Sequence, residues 1–142
     1  MPTLSAAVSA SASALTAERT RIEVAVSNLA NAESTRSADG TPYRRRDVVL
    51  APDRVTSFDA ALGRSGATGV KVAAVVEDAA PFRRRYEPSH PDADADGFVS
   101  LPNVDAPQEM VDMLGAARAY QANLAAIAII RDIVAKALEL GR

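Results

Sequence analysis

The stretch QEMVDMLGAARAYQANLAAIAIIRDIVAKALELGR, residues 108–142, decides how the rest of this chain is read. It contains no Pro and, before Gly141, one Gly, at position 115. Met110, Ala117, Leu124 and Leu138 keep a seven-residue count, and Met113, Tyr120, Ile127 and Val134 keep the same count three residues later. That spacing predicts a long helix with an apolar seam, which is buried by lying against another helix. Arg131 is the break in the seam. It reads either as a polar register device or as a side chain whose stem lies on the seam while its head reaches water beside Asp132.

A partner is available at the other end of the chain. Val8, Leu15, Ile22 and Leu29 fall seven apart, with Ser11, Glu18, Ala25 and Ala32 three residues after each. Ala6, Ala7, Ala10, Ala12, Ala14 and Ala17 crowd this narrower seam and let a second backbone approach at little entropic cost. The predicted first helix starts near Thr3 to Ser5 and runs to about Ala32, where Asn, Ser and Thr compete for backbone bonds before Asp39-Gly40-Thr41-Pro42 stops it. If the two helices run antiparallel with their inner ends level, Arg131 lies near Ala10 or Ser11. No Glu18–Arg131 bridge is then expected within one chain.

Between the helices the pattern changes to short extended runs. Tyr43–Ala51, closed by Pro52, Val70–Glu77, Phe82–Tyr86 and Phe98–Leu101 read as strands, and Phe58–Leu62 as a turn of helix. The expected architecture is α+β: residues 1–34 and 107–142 as long terminal helices forming a coiled coil, and residues 35–106 as a small β-rich module. Helices of that length are longer than a globule of this mass is wide, so an elongated shape or assembly with other chains is expected.

Composition removes several function classes. Among 142 residues, aromatics are 4% and Trp is absent, so the core must be aliphatic and a lone chain is weakly held. A net charge of −2 gives no electrostatic grip on nucleic acid or anionic lipid. With no Cys there is no disulfide, thiolate metal site or thiol nucleophile. The start, MPTLSAAV, has neither the basic leader nor the apolar core of a signal peptide, and the longest apolar run, Leu124–Ile130, is far short of a membrane span. A soluble chain without membrane insertion is expected.

Four stretches invite chemistry. Asp92-x-Asp94-x-Asp96-Gly97 matches the first half of a helix-loop-helix calcium loop, but Asn103 stands where the bidentate Glu is needed, and Pro91 and Pro102 forbid the flanking helices. It reads as an acidic turn; a calcium-binding adhesion or interaction module is the alternative it leaves. His90, the one His, has Ser89 and Asp92 beside it in a Pro-flanked loop with no wall to exclude water, and reads as a loop residue. Gly63-x-x-Gly66-x-x-Gly69 precedes a strand, whereas a phosphate cradle precedes a helix. Arg44–Arg46 and Arg83–Arg85 split across two strand faces, beside acids able to neutralise them, and read as a solvated face or as bridges to a neighbouring subunit. No catalytic residue, metal ligand or cofactor is expected.

Leu15-Thr-Ala-Glu-Arg-Thr-Arg21, with Ser27-Asn-Leu-Ala-Asn-Ala-Glu-Ser-Thr-Arg36, resembles the N-terminal signature of bacterial flagellar rod and hook proteins, with Asn28, Asn31 and Thr35 as signature positions. Thr41–Val49, Tyr86–Val99, Pro102-Asn-Val104 and Glu109-Met-Val-Asp-Met113 narrow the resemblance to the proximal rod of the basal body. It covers nearly the whole chain. The resemblance implies a structural, non-enzymatic subunit of the hollow drive shaft in the periplasm, whose terminal helices line the tube with a β-rich domain outside. It also implies export by the flagellar type III apparatus and, as partners, copies of itself and other rod proteins.

Overall fold

A computed structural model describes residues 4–37, 40–53 and 68–140. Helix α1 spans Leu4–Ala30, strands β1 to β4 span Arg46–Asp53, Gly69–Glu77, Arg83–Tyr86 and Phe98–Leu101, and helix α2 spans Ala106–Leu140. The architecture is α+β, as the sequence implies. The short helix expected at Phe58–Leu62, and Gly63 and Gly66, lie outside the described residues.

Side chains end α1 as their chemistry predicts. The Asn31 amide N–H is shared between the Ser27 and Asn28 carbonyls at 3.2 Å each, while its side-chain Nδ2 donates to Ser27 O at 2.8 Å. Ser34 Oγ then donates to Asn31 O at 2.9 Å, so the last carbonyls of the helix are satisfied locally and the chain turns away.

The strands form two separate antiparallel pairs, β1 with β2 and β3 with β4. β1 begins later than the sequence suggests, and the amides at its start bond to side chains. Arg45 N donates to Asn103 Oδ1 and Arg46 N to Asn28 Oδ1, each at 2.9 Å. It also ends later: Pro52 does not close the strand but lies inside it, opposite Val70. A two-stranded sheet has no interior strand, so the missing N–H of Pro52 costs no second ladder. A register shift between Val49 and Leu50 bends this hairpin, which lies along α1.

The tightest packing is under β4 and the segment that leads into α2. Val99, Leu101, Pro102 and Val104 are essentially fully buried. The helix pair is held differently: the fully buried apolar residues of the two helices are Ala17, Ala25 and Ala116, all small. The helices run antiparallel, with Asn28 against Glu109 at one end and Leu4 and Val8 beside Val134 and Leu138 at the other. Their lengths are ~40 Å and ~52 Å at 1.5 Å rise per residue. No described helix is long and apolar enough to cross a membrane.

Candidate assembly surface

Two features of the helix pair stand out, a polar joint at its inner end and apolar surface left open along its length. The joint is built around Asn28 and Glu109, 1% and 2% exposed. Asn28 Nδ2 donates to Glu109 Oε2 at 2.9 Å and to the Arg46 carbonyl at 2.8 Å, and its Oδ1 accepts from Arg46 N and from the Tyr43 hydroxyl, both at 2.9 Å. Arg45 Nε donates to the other Glu109 oxygen at 2.6 Å. α1, the segment before β1 and α2 thus meet at one point, and every buried side-chain polar atom among the described residues has a partner. Burial pushes the Arg45 guanidinium down, but the hydrogen bond and charge of Glu109, with Asp47 and Asp78 behind, outweigh it and hold the group above its ordinary value. The cation is fixed.

The open surface lies mainly on α2. Packing against α1 covers Glu109, Met113, Ala116, Tyr120, Asn123, Ile127 and Ile130, a four-then-three spacing. Of the expected seam, Met113, Ala117, Tyr120 and Ile127 are half-buried, whereas Met110, Leu124, Val134 and Leu138 are exposed, Leu124 by 54% and Leu138 by 70%. On α1, Val8, Leu15, Ile22 and Leu29 are all half-buried. Val111, Leu114, Ile129, Ile133 and Leu140 extend the exposed aliphatic surface of α2. At the outer end the helices frame an apolar cleft of about 650 Å³, with Leu4 and Val8 on one wall and Ile130, Val134 and Leu138 on the other. Arg131 is exposed at its margin. Glu18 bridges Arg21 at 2.9 Å and does not meet Arg131, as the antiparallel alignment requires.

Comparison with known proteins decides what such a chain is. The family model for the C-terminal region of the flagellar basal body rod FlgEFG proteins matches residues 95–140. The flagellar basal-body rod protein FlgC of Salmonella typhimurium is 46% identical over 130 residues, 92% of each chain. That of Bacillus subtilis is 43% identical over 143 residues, covering 93% of this chain and 94% of the relative. The protein of the same name from Borreliella burgdorferi is 37% identical over 152 residues, covering 96% and 97%.

The chain belongs to the FlgC family of flagellar basal-body rod proteins. It is a structural subunit of the basal-body rod, and the resemblance drawn from its signature stretches stands.

The stretches on which the resemblance was drawn have visible physical roles here. Asn28 and Asn31 form the joint and the helix end. Thr35 Oγ1 donates to Asp92 Oδ2 at 2.8 Å, Arg36 bridges the other Asp92 oxygen at 2.8 Å, and Glu33 meets Arg85 at 2.9 Å, so the turn after α1 is tied to the β3–β4 connection. The acidic turn thus has the carboxylates of Asp92 and Asp94 engaged within the chain. Asp94 accepts from Phe98 N and Asp96 N and pairs with Arg84 at 2.6 Å, and among the described residues no group of acids and His is arranged to hold a metal ion. His90 Nδ1 accepts from the Asp92 amide at 3.1 Å, a turn-forming role. The arginine runs also find partners inside the chain: Arg44 lies over the Phe82 ring, Arg84 lies over the Phe98 ring, and Arg83 donates to Val104 O at 2.6 Å. Glu109, Arg45, Tyr43 and Asn103 were not singled out from sequence as site residues. Glu109 reads there as an ordinary charge at a helix start, and the available signal was its position one residue ahead of an apolar row.

Proposed function

We propose that this chain takes its place in the proximal part of the rod by burying the outward aliphatic surface of α2, and the apolar cleft at the helix ends, against copies of itself and other rod proteins. Residues 1–34 and 107–142 form the wall of the tube as coiled helices, and residues 35–106 sit outside it, in the periplasm. The part played is mechanical, with no catalytic step. The chain reaches the site through the flagellar type III export apparatus, for which helices whose fully buried apolar residues are all alanine are suited because they separate easily.

The observation that carries this reading is the row of nine large aliphatic side chains exposed on one helix, α2. At about 1 kcal/mol for the uncovered half of each, filling them is worth on the order of 10 kcal/mol per chain before ordering costs. A single rod subunit leaves that gain unused; a packed wall collects it.

The test is Leu124→Asp, which places a carboxylate on the open face while leaving the contact with α1 intact. Cells carrying it are expected to be non-motile, with the chain missing from isolated basal bodies, while the purified variant keeps the circular dichroism of the parent. Normal swimming and normal incorporation would remove the proposed surface from consideration.

A further inference from the structure

We infer that the buried Asn28–Glu109–Arg45 joint sets the register in which α1 and α2 pair, so that this one polar contact selects a single alignment of two otherwise permissive helices. The apolar contact between them specifies alignment weakly at its most buried points. The fully buried apolar residues of the two helices are Ala17, Ala25 and Ala116, and α1 repeats a small residue at the heptad interval, with Ala10 seven before Ala17. Sliding one helix along the other by a heptad, ~10.5 Å, puts one such small residue of α1 in the place of the other.

The joint behaves differently under the same slide. Both amide hydrogens of Asn28 are in use, on Arg46 O at 2.8 Å and Glu109 Oε2 at 2.9 Å, and its oxygen already accepts two hydrogen bonds. Glu109 has one oxygen on Asn28 and the other on Arg45 Nε at 2.6 Å, with its side chain 3% exposed. A displaced α2 takes the carboxylate away from both partners and leaves Asn28 with an unpaired N–H. Buried groups of this kind are expensive when separated and contribute little net stability when joined, and that combination discriminates between alignments without strengthening the correct one. The segment carrying Tyr43, Arg45 and Arg46 completes the site, so the two helices reach their register only with that segment in place. Arg131, offered by the sequence as a register device, is exposed at the far end of the pair and has no such grip. The inference concerns pairing within one chain and does not rest on what covers the outer faces.

The chain has no Cys, which makes intramolecular cross-linking a clean readout. Val8 and Val134 line the same cleft in the native alignment, so Val8→Cys with Val134→Cys reports that alignment, and Val8→Cys with Ile127→Cys reports a one-heptad slide. In the otherwise unchanged full-length chain, mild oxidation is expected to favour the native pair by at least about tenfold. In the background of Glu109→Leu with Arg45→Met, which removes both charges, the preference is expected to fall to within about threefold while the helical circular dichroism is retained. An unchanged preference in that background would overturn the inference, as would its absence in the parent. Loss of the helical signal would also overturn it, since the joint would then be holding the helices together, not aligning them.

Discussion

Removing one side of the Arg45–Glu109 pair should hurt unequally, and the structure says which side matters more. Glu109 is 2% exposed and has Arg45 as its cationic partner at 2.6 Å. Arg45, by contrast, also has Asp47 at 3.7 Å, Asp112 at 3.8 Å and Asp78 at 4.0 Å. Arg45→Met therefore strands a buried carboxylate, and such a stranded charge costs about 3–5 kcal/mol. Glu109→Leu leaves a cation that still faces three carboxylates and one unpaired N–H on Asn28, for a cost of about 1–3 kcal/mol. The sharper expectation is a change of sign. Glu109→Leu should destabilise the parent but stabilise the Arg45→Met background, because there it removes the stranded charge. Urea unfolding of the four proteins, followed by circular dichroism, measures all four corners of the cycle. Additive costs, or a smaller loss for Arg45→Met than for Glu109→Leu, would show that this joint is not a desolvated ion pair.

Three further perturbations probe the parts around it. Ala25→Leu forces a larger side chain where α1 and α2 touch and should cost about 1–3 kcal/mol in urea unfolding; a neutral result would mean that the helices are not in close contact at this level. Gly97 has φ of +81°, and a Cβ there would lie 2.9 Å from the Tyr86 ring, so Gly97→Ala should cost at least about 1–2 kcal/mol; unchanged thermal stability would argue against that turn. The Phe98 amide, aided by Arg84 and the Asp96 amide, holds the Asp94 carboxyl below its ordinary value of 3.8. A depressed carboxylate contributes stability above its unfolded value and loses it as pH falls through the folded one. The melting temperature of the parent should therefore drop below about pH 3.8 by a step that Asp94→Asn lacks; parallel profiles would contradict it.

Much of the fold was legible because its signals are local. An alanine-rich run without Pro gave α1, unbroken apolar periodicity gave α2, and valine-rich runs between breakers gave β2 and β4 within a residue of their ends. The bounds of β1 were not legible, for a reason visible in its first residues. Whether Arg45 belongs to the ladder depends on Asn103, which is distant in sequence and takes its backbone amide. Pro52 reads as a terminator by a rule that holds inside sheets, and this hairpin has no interior.

The register of α2 teaches the most about reading such chains. Ranked by apolarity, the rows Met110, Ala117, Leu124, Leu138 and Met113, Tyr120, Ile127, Val134 look like the ones to bury, and Arg131 looks like the flaw. Met113, Tyr120 and Ile127 are half-buried, and beside them is covered the row Glu109, Ala116, Asn123 and Ile130, which looks worse on paper because two of its four members are polar. Those two are satisfied, Glu109 across the joint by Asn28 and Arg45, and Asn123 within its own helix by the Ala119 carbonyl at 2.9 Å. A helix that serves both its own chain and an assembly needs two faces. The inner one can include small and polar residues because tethering within the chain lowers the entropy cost of contact. The outer one carries the large aliphatics because association between separate chains must overcome a greater loss of freedom. Apolarity alone therefore mixes the two, selecting the exposed Met110 and Leu124 along with the half-buried Met113, Tyr120 and Ile127, and Arg131 stands exposed at the margin of the cleft that the two helices frame.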